Sequence, residues 1–230
     1  MALPMMRLGS GLTGAVILYT IGHSNQTRAQ LIAQLEQYRI DAVADVRSVP
    51  YSRRLPQFNK TDLENELLRN GIRYVFLGDE LGARRKEESA YTNMQATYER
   101  VAKLPAFQSG LNRVVRGLQK GLTLSLLCAE RDPLICHRAI LVSRHLEAKG
   151  VKIMHILGDG SVESHSHLER RMQRVLQKLG VTKGSDSDMQ LDLLGQDRVQ
   201  DRTPSSEERM EEAYRLQGLR IAYTKPLVAA

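Results

Sequence analysis

The sequence holds only two cysteines, Cys128 and Cys136, too few for the disulfide framework of a small secreted domain. It also lacks any long hydrophobic run. The longest apolar stretch, Ala15 to Ile21, is far too short to cross a bilayer. Only Arg7 precedes it, and Gly22-His23-Ser24 follows where a small-residue cleavage site would stand, so a signal peptide is not expected. A reducing cytoplasm is the expected compartment and no membrane partner is expected. There is no Walker loop, no dinucleotide glycine fingerprint, no Gly-x-Ser-x-Gly elbow and no internal repeat. These absences remove the commonest nucleotide-binding and hydrolase signatures, as well as solenoid architectures.

What remains is a chain of 230 residues, long enough to bury a real core, at 42% hydrophobic and 26% charged. That balance is typical of a soluble globular protein. A net charge of +7 favours an anionic partner, such as a small phosphate-bearing molecule, a nucleotide or a nucleic acid, although basicity alone does not require one.

Short β-branched or apolar runs alternate with helical periodicity along most of the chain. Strands are expected at Val16–Ile21, Asp41–Val46, Arg73–Leu77, Leu122–Leu127 and Val151–Leu157. Between them Thr27 can cap a helix carrying Leu31, Ile32 and Leu35, and Thr61 can cap one that Asn70-Gly71 ends. Lys86–Asn93 reads as an irregular loop. Helices follow at Met94–Leu104, Phe107–Leu118 and, after the last strand, Leu168–Leu179. The expected fold is α/β, a mainly parallel sheet flanked by helices in a Rossmann-like three-layer arrangement, with a partly disordered C-terminal extension. In domain terms, residues 1–14 read as a loose leader, 15–180 as one domain, 181–206 as a linker, and 207–230 as a C-terminal helix and tail packing on that domain.

A sheet of this kind gathers its strand ends along one edge, where ligands bind. The corner from Leu122 to Lys149 is the richest in chemistry. A strand ends at Cys128, a loop carries Glu130, Arg131 and Asp132, and helical periodicity resumes at Cys136-His137-Arg138. A cysteine in the first turn of that helix would sit near unpaired N–H groups that favour thiolate. Cys136 and His137 are therefore candidate nucleophile and acid–base groups, with Glu130 a second acid or base. Asp132, before Pro133, reads as a cap. The first strand delivers His23, a further catalytic candidate, and Ser24. The second delivers Asp45 and Arg47. Ser24, Asp45, Arg47 and Arg138 are the candidate substrate-binding set, since arginine can grip phosphate or carboxylate with two prongs.

A divalent metal is a further expectation, with Cys128, Cys136 and His137 as its candidate ligands. They supply three donors at most, so His23 or Glu130 would have to be folded close to complete a tetrahedral set. His165 and His167, in SHSH, read as a solvated turn. The spacing after Cys128 rules out a thiol-phosphatase loop: Leu134 stands where the arginine belongs.

Taken together, YTIGHS at Tyr19–Ser24, DVRSVPYSRR at Asp45–Arg54, FNK at Phe58–Lys60, LGARR at Leu81–Arg85 and LLCAERDPLICHR at Leu126–Arg138 resemble the domain-of-unknown-function 488 family. The likeness runs from about Tyr19 to Leu157, with IAY near the end. It departs at Ala83, where the family more often has a second glycine. The resemblance implies a compact α/β protein whose Cys, His and Arg residues meet at one site, and brings no established reaction. Three functions follow as expectations: an enzyme acting on an anionic substrate, a non-catalytic nucleic-acid-binding protein, or a metal-binding or redox-sensing protein.

Overall fold

The computed structural model describes residues 16–181 and 204–226. The expected leader and most of the expected linker lie outside them.

The first strand, β1 (Ile17–Gly22), leads to α1 (Arg28–Gln37), which Thr27 opens with a capping box. There the Gln30 N–H donates to Thr27 Oγ1 (3.2 Å) and the Thr27 N–H to Gln30 Oε1 (2.8 Å), satisfying two donors that a helix start leaves orphaned. Next come β2 (Ala42–Asp45), α2 (Lys60–Arg69) and β3 (Arg73–Phe76). Asn59, not Thr61, is the residue before α2, and Gly71 ends that helix at φ 72°, a conformation that favours glycine. A short α3 (Gly78–Leu81) precedes a hairpin of β4 (Tyr91–Thr92) and β5 (Gln95–Ala96). Then follow α4 (Tyr98–Ala102), α5 (Pro105–Gln119) and β6 (Leu124–Cys128). A π-helical turn, Arg138–Ser143, runs into α6 (Arg144–Glu147). After it come β7 (Lys152–Ile156), β8 (Val162–Ser164), α7 (His165–Lys178) and α8 (Ser206–Ile221).

Three segments differ from expectation. The chain around Tyr91–Ala96 pairs as a hairpin where a loop and a helix start were expected, and its turn places Asn93 and Met94 at positive φ. Strand β8, too short to show a period, adds to the sheet antiparallel. The SHSH stretch is the first turn of α7 instead of a solvated turn: His165 is buried at 1% exposure, while the His167 side chain is half exposed.

The main sheet is six-stranded, in the order β3-β2-β6-β1-β7-β8, and parallel apart from β8. It is a three-layer α/β fold. One face is covered by α1 and α2, whose Leu31, Ile32, Leu35, Leu63 and Leu67 pack with Ile21, Val43 and Leu127. The opposite face carries α5, the π-turn, α6, α7 and α8 over Leu18, Leu124, Leu126 and Ile153. Each such leucine or isoleucine, taken fully from water, contributes about 1.5–3 kcal/mol.

Strand β6 is central and buried along its whole length, so it reads as an apolar run and not as an alternation. Its side chains still alternate between faces. Leu124, Leu126 and Cys128 share the α5 side, and Leu127 faces α1. The connection out of β1 covers one face, whereas the connection out of β6 covers the other. Their neighbouring carboxyl ends therefore form a switch point, the place where an open α/β sheet leaves a crevice.

Candidate functional site

Backbone bonds continue the β1–β6 pairing past the strands. The His23 N–H donates to the Cys128 carbonyl (3.0 Å) and the Ser24 N–H to that of Ala129 (2.8 Å). The loop after Cys128 crosses Gly22 so closely that a Cβ there would stand 1.8 Å from the Glu130 carbonyl oxygen. Only glycine permits that crossing. Arg138 fixes the loop from below. Fully buried, it donates from Nη1 to the Glu130 carbonyl (2.6 Å), from Nη2 to that of Arg131 (3.2 Å), and from Nε to Thr20 Oγ1 (3.4 Å). Asp132 caps the following 3₁₀ turn, Pro133–Ile135, through the Leu134 N–H (2.9 Å). It also pairs with Arg171 of α7 (2.7 Å).

Four functional groups meet where this loop turns back. Glu130 Oε2 lies 3.0 Å from Cys128 Sγ and 2.9 Å from Cys136 Sγ, and His137 Nδ1 lies 3.7 Å from Cys128 Sγ. One donor atom from each of the four lies within 4.8 Å of those of the other three. Both sulfurs are buried (2% and 1% exposed) and unlinked. Cys136 precedes the helix and does not occupy its first turn. Its backbone is extended (φ −130°), and its carbonyl accepts the Ala139 and Ile140 N–H groups that open the π-turn. Extended backbone at Cys136, followed by helical backbone at His137, turns both side chains toward Cys128. Glu130 is exposed as a residue, but its carboxyl is turned inward onto the sulfurs.

Protons in this cluster are shared. Burial, then the neighbouring Cys136 sulfur, pushes the Glu130 carboxyl up, and burial together with Cys136 pushes the Cys128 thiol well up. Burial also opposes ionisation of Cys136. There the thiol bond from Cys128, the Arg138 guanidinium and His137 overcome it, so Cys136 is the sulfur held well below the usual thiol range. Burial lowers His137, while Cys136 and Glu130 more than offset this and raise it. Three acidic groups this close cannot all carry charge independently, and they titrate as one unit. The tautomer of the neutral His137 ring is set from outside: Val46 offers a carbonyl 3.0 Å from Nε2, so Nε2 carries the hydrogen and Nδ1 faces the sulfurs.

The other expected site residues form a second group. Asp45, fully buried, takes the Arg47 guanidinium through Nε and Nη2 (2.6–3.1 Å) and the Tyr74 hydroxyl (2.7 Å). Arg47 Nη1 donates to the Phe58 carbonyl (2.9 Å) and to His23 Nε2 (3.2 Å). Of the five guanidinium hydrogens, these bonds leave a single one for anything else. His23 donates from Nδ1 to the Ser24 carbonyl (2.9 Å) and stacks on Phe58 (4.3 Å between ring centroids). Burial, then Arg47, holds His23 down at about 4, so it is a neutral acceptor that positions Arg47. Ser24, at φ 45°, turns its hydroxyl to Asn25.

A cleft of about 320 Å³ opens over the cluster. Cys128, Glu130 and His137 line it, with Arg47 on the β2 side; Cys136, His23, Ser24, Asp45 and Arg138 do not line it. The fold thus gathers the strand-end residues at one edge, yet Arg138 serves the loop, Asp45 serves Arg47, and His23 stays outside the cleft. Further wall residues escaped sequence reasoning: Tyr51, Arg84, Tyr98 and, from the last residue of α8 and just past it, Ile221 and Tyr223. Arg84 is exposed and lies over the Tyr223 ring, 4.8 Å from its centroid. Its neighbour Arg85 is buried and bound to the Asp79 and Glu80 carbonyls and to Glu87. The LGARR motif is the one signal that could have singled out Arg84. In that motif a Cβ at Gly82 would meet the Gly78 carbonyl and Ser48 Oγ at 2.4 Å, whereas Ala83 lines the cleft without positive φ. Among the described residues no helix is long and apolar enough to cross a membrane.

The family model described as domain of unknown function DUF488 matches residues 27–145, about half of the chain, and spans β2, the cleft loops and the whole cysteine corner. No curated protein and no solved structure matches the chain.

Proposed function

Because the chain belongs to the DUF488 family, whose description names no activity, we propose from its own geometry that it is an enzyme acting on a small anionic substrate in the cleft over Cys128. One observation carries this reading. Cys128, Glu130 and His137 line a cleft whose walls hold an exposed arginine and three tyrosines, and the Cys136 sulfur is buried against them just beneath the lining. A volume of about 320 Å³ suits a small molecule, not a nucleic-acid duplex. Arg84 is the group free to take the anionic end. The single uncommitted hydrogen of Arg47 adds to it, and the tyrosine rings offer flat apolar surface to the rest of the molecule. The cluster at the floor then faces the reacting end.

The test is a thermal-shift titration of the full chain with inorganic phosphate, pyrophosphate and nucleoside mono- and diphosphates at low salt. A bound anion raises stability by about 2.7 kcal/mol at a hundred times its dissociation constant. The expected result is a saturable rise with at least one of these, weakened by salt and lost in Arg84→Ala. No rise with any anion, or a rise that Arg84→Ala leaves intact, would remove the reading. A shift only with long single strands would turn it into nucleic-acid binding. Once a turnover assay exists, Cys136→Ser should abolish turnover in a folded protein.

A further inference from the structure

We propose that Cys128 Sγ, Cys136 Sγ, His137 Nδ1 and a Glu130 carboxylate oxygen bind one divalent cation of the zinc class, tetrahedrally, at the floor of the cleft.

Three observations carry this. The first is distance. Zinc holds sulfur at about 2.3 Å and nitrogen or oxygen at about 2.0–2.2 Å, so tetrahedral neighbours stand roughly 3.3–3.8 Å apart. The sulfur–imidazole separation is already 3.7 Å, and the sulfur–carboxylate separations of 3.0 and 2.9 Å need only a small outward movement. The second is the outer support. A metal-binding histidine usually donates its other ring N–H to a carbonyl or carboxylate, which aims the free lone pair. Val46 supplies that carbonyl to His137, and Arg138 holds the Glu130 backbone at the matching height. The third is the donor set. Two thiolates with an imidazole select zinc over magnesium or calcium, which prefer all-oxygen shells.

A second group of potential ligands shows what such a site is not. Glu147, His165 and Glu169 also come within reach of one point, but His165 Nε2 is held by the Tyr214 hydroxyl (2.8 Å), which itself donates to Glu169 (2.8 Å). Two of its three donors are already engaged through Tyr214. In the cysteine cluster two sulfurs crowd one Glu130 carboxyl oxygen, an arrangement that a cation would relieve.

Binding is a proton exchange with no change of oxidation state. The cation forms two metal–sulfur bonds, and any protons still on the two thiols go to solvent, so affinity rises with pH. Cys128, Cys136 and His137 are the buried ligands, whereas Glu130 is the exposed residue at the cleft. Glu130 is therefore the ligand that water or a substrate oxygen would replace, and the cation would face the substrate.

The test uses the full chain, reduced and stripped with chelator, and cobalt(II) alone as the probe. One equivalent should bind, giving the sulfur-to-cobalt charge-transfer band and the intense visible bands of tetrahedral coordination. Equimolar zinc should bleach both. Cys128→Ser and Cys136→Ser should each weaken binding at least a hundredfold and reduce the charge-transfer band, whereas Glu130→Gln should keep that band and lose about tenfold in affinity. Absence of the bands in the unmodified chain would overturn the proposal, even if the serine variants fail to fold. So would bands that both serine variants preserve, or a Cys128–Cys136 disulfide that persists under reductant and refuses cobalt. Cobalt uptake needs no substrate and the phosphate titration needs no metal, so either idea can fail while the other stands.

Discussion

Two polar assemblies flank Arg138, each joining histidine to a carboxylate, and they are organised in opposite ways. One runs through the core. Arg138 Nε donates to Thr20 Oγ1, whose hydroxyl donates to His155 Nδ1 (2.8 Å). His155 Nε2 then donates to His165 Nδ1 (2.9 Å), and His165 Nε2 to Tyr214, which donates to Glu169. Each hydrogen has one acceptor, and the chain points one way, from a guanidinium to a carboxylate. Bonds aligned in this fashion polarise one another, and both imidazoles are neutral. The other assembly, Cys128–Glu130–Cys136–His137, has protons with no fixed owner. Histidine occurs in both, so residue type does not separate them; the difference is whether every donor is already committed.

The sharpest way to break the comparison is at the crossing that separates the two. Gly22→Ala forces a Cβ onto the Glu130 carbonyl and must move the loop, which should cost more than about 3 kcal/mol in chemical denaturation. It should also dismantle the cluster while leaving the histidine chain in place. Unchanged stability would mean the loop yields freely.

Acid should attack the histidine chain next. Burial and the neighbouring His165 hold His155 well below its usual range, and burial lowers His165 to about 4. The unfolded chain takes up these protons near pH 6.5 and the folded chain does not, so stability is full above about 6.5 and falls with pH toward about 4. His165 alone then contributes a loss of about 3 kcal/mol across that window. Urea melts from pH 7 to 4 should show the slope, and His165→Gln should flatten it. A slope that persists unchanged would assign the sensitivity to His23 or other groups.

Tyr214→Phe removes one link and leaves two polar groups without their partner. It should cost about 1–3 kcal/mol and leave cobalt or anion binding as in the unmodified chain. At the small end, Glu130→Gln alters the cluster without deleting packing. The amide keeps an oxygen for the sulfurs, so stability should fall by no more than about 1 kcal/mol, although the ligand properties change. A large loss there would make Glu130 a structural residue after all.

The difference between the assemblies also explains what could be read in advance. Strand ends were legible because β1, β2 and β6 are short apolar runs bounded by Gly22, Arg47 and Cys128, and parallel strands buried on both faces look that way in any such protein. The meeting of Cys128 with Cys136 and His137 followed from one strand-to-helix corner. The position of Glu130 did not, since it depends on Gly22 and Arg138 acting on the same loop from different elements. Burial of His165 was equally hidden: its partners are His155, across β8, and Tyr214 on α8, and no local pattern marks them. Arg138 looked like an anion clamp because a guanidinium's bonding partners are invisible in sequence; here they are backbone carbonyls.

Tyr223 carries one last implication. Its carbonyl accepts the Ala96 N–H (2.9 Å) and the Lys225 N–H donates to Met94 (2.9 Å), so a strip just past α8 is tied to the β4–β5 hairpin. Since Gln217 of α8 also donates to the Leu134 carbonyl (2.7 Å), the cysteine corner and its last wall are both held from the far end of the sequence. A chain shortened ahead of Ile221 would therefore lose two cleft residues, Ile221 and Tyr223, together with the strip that ties them to the hairpin.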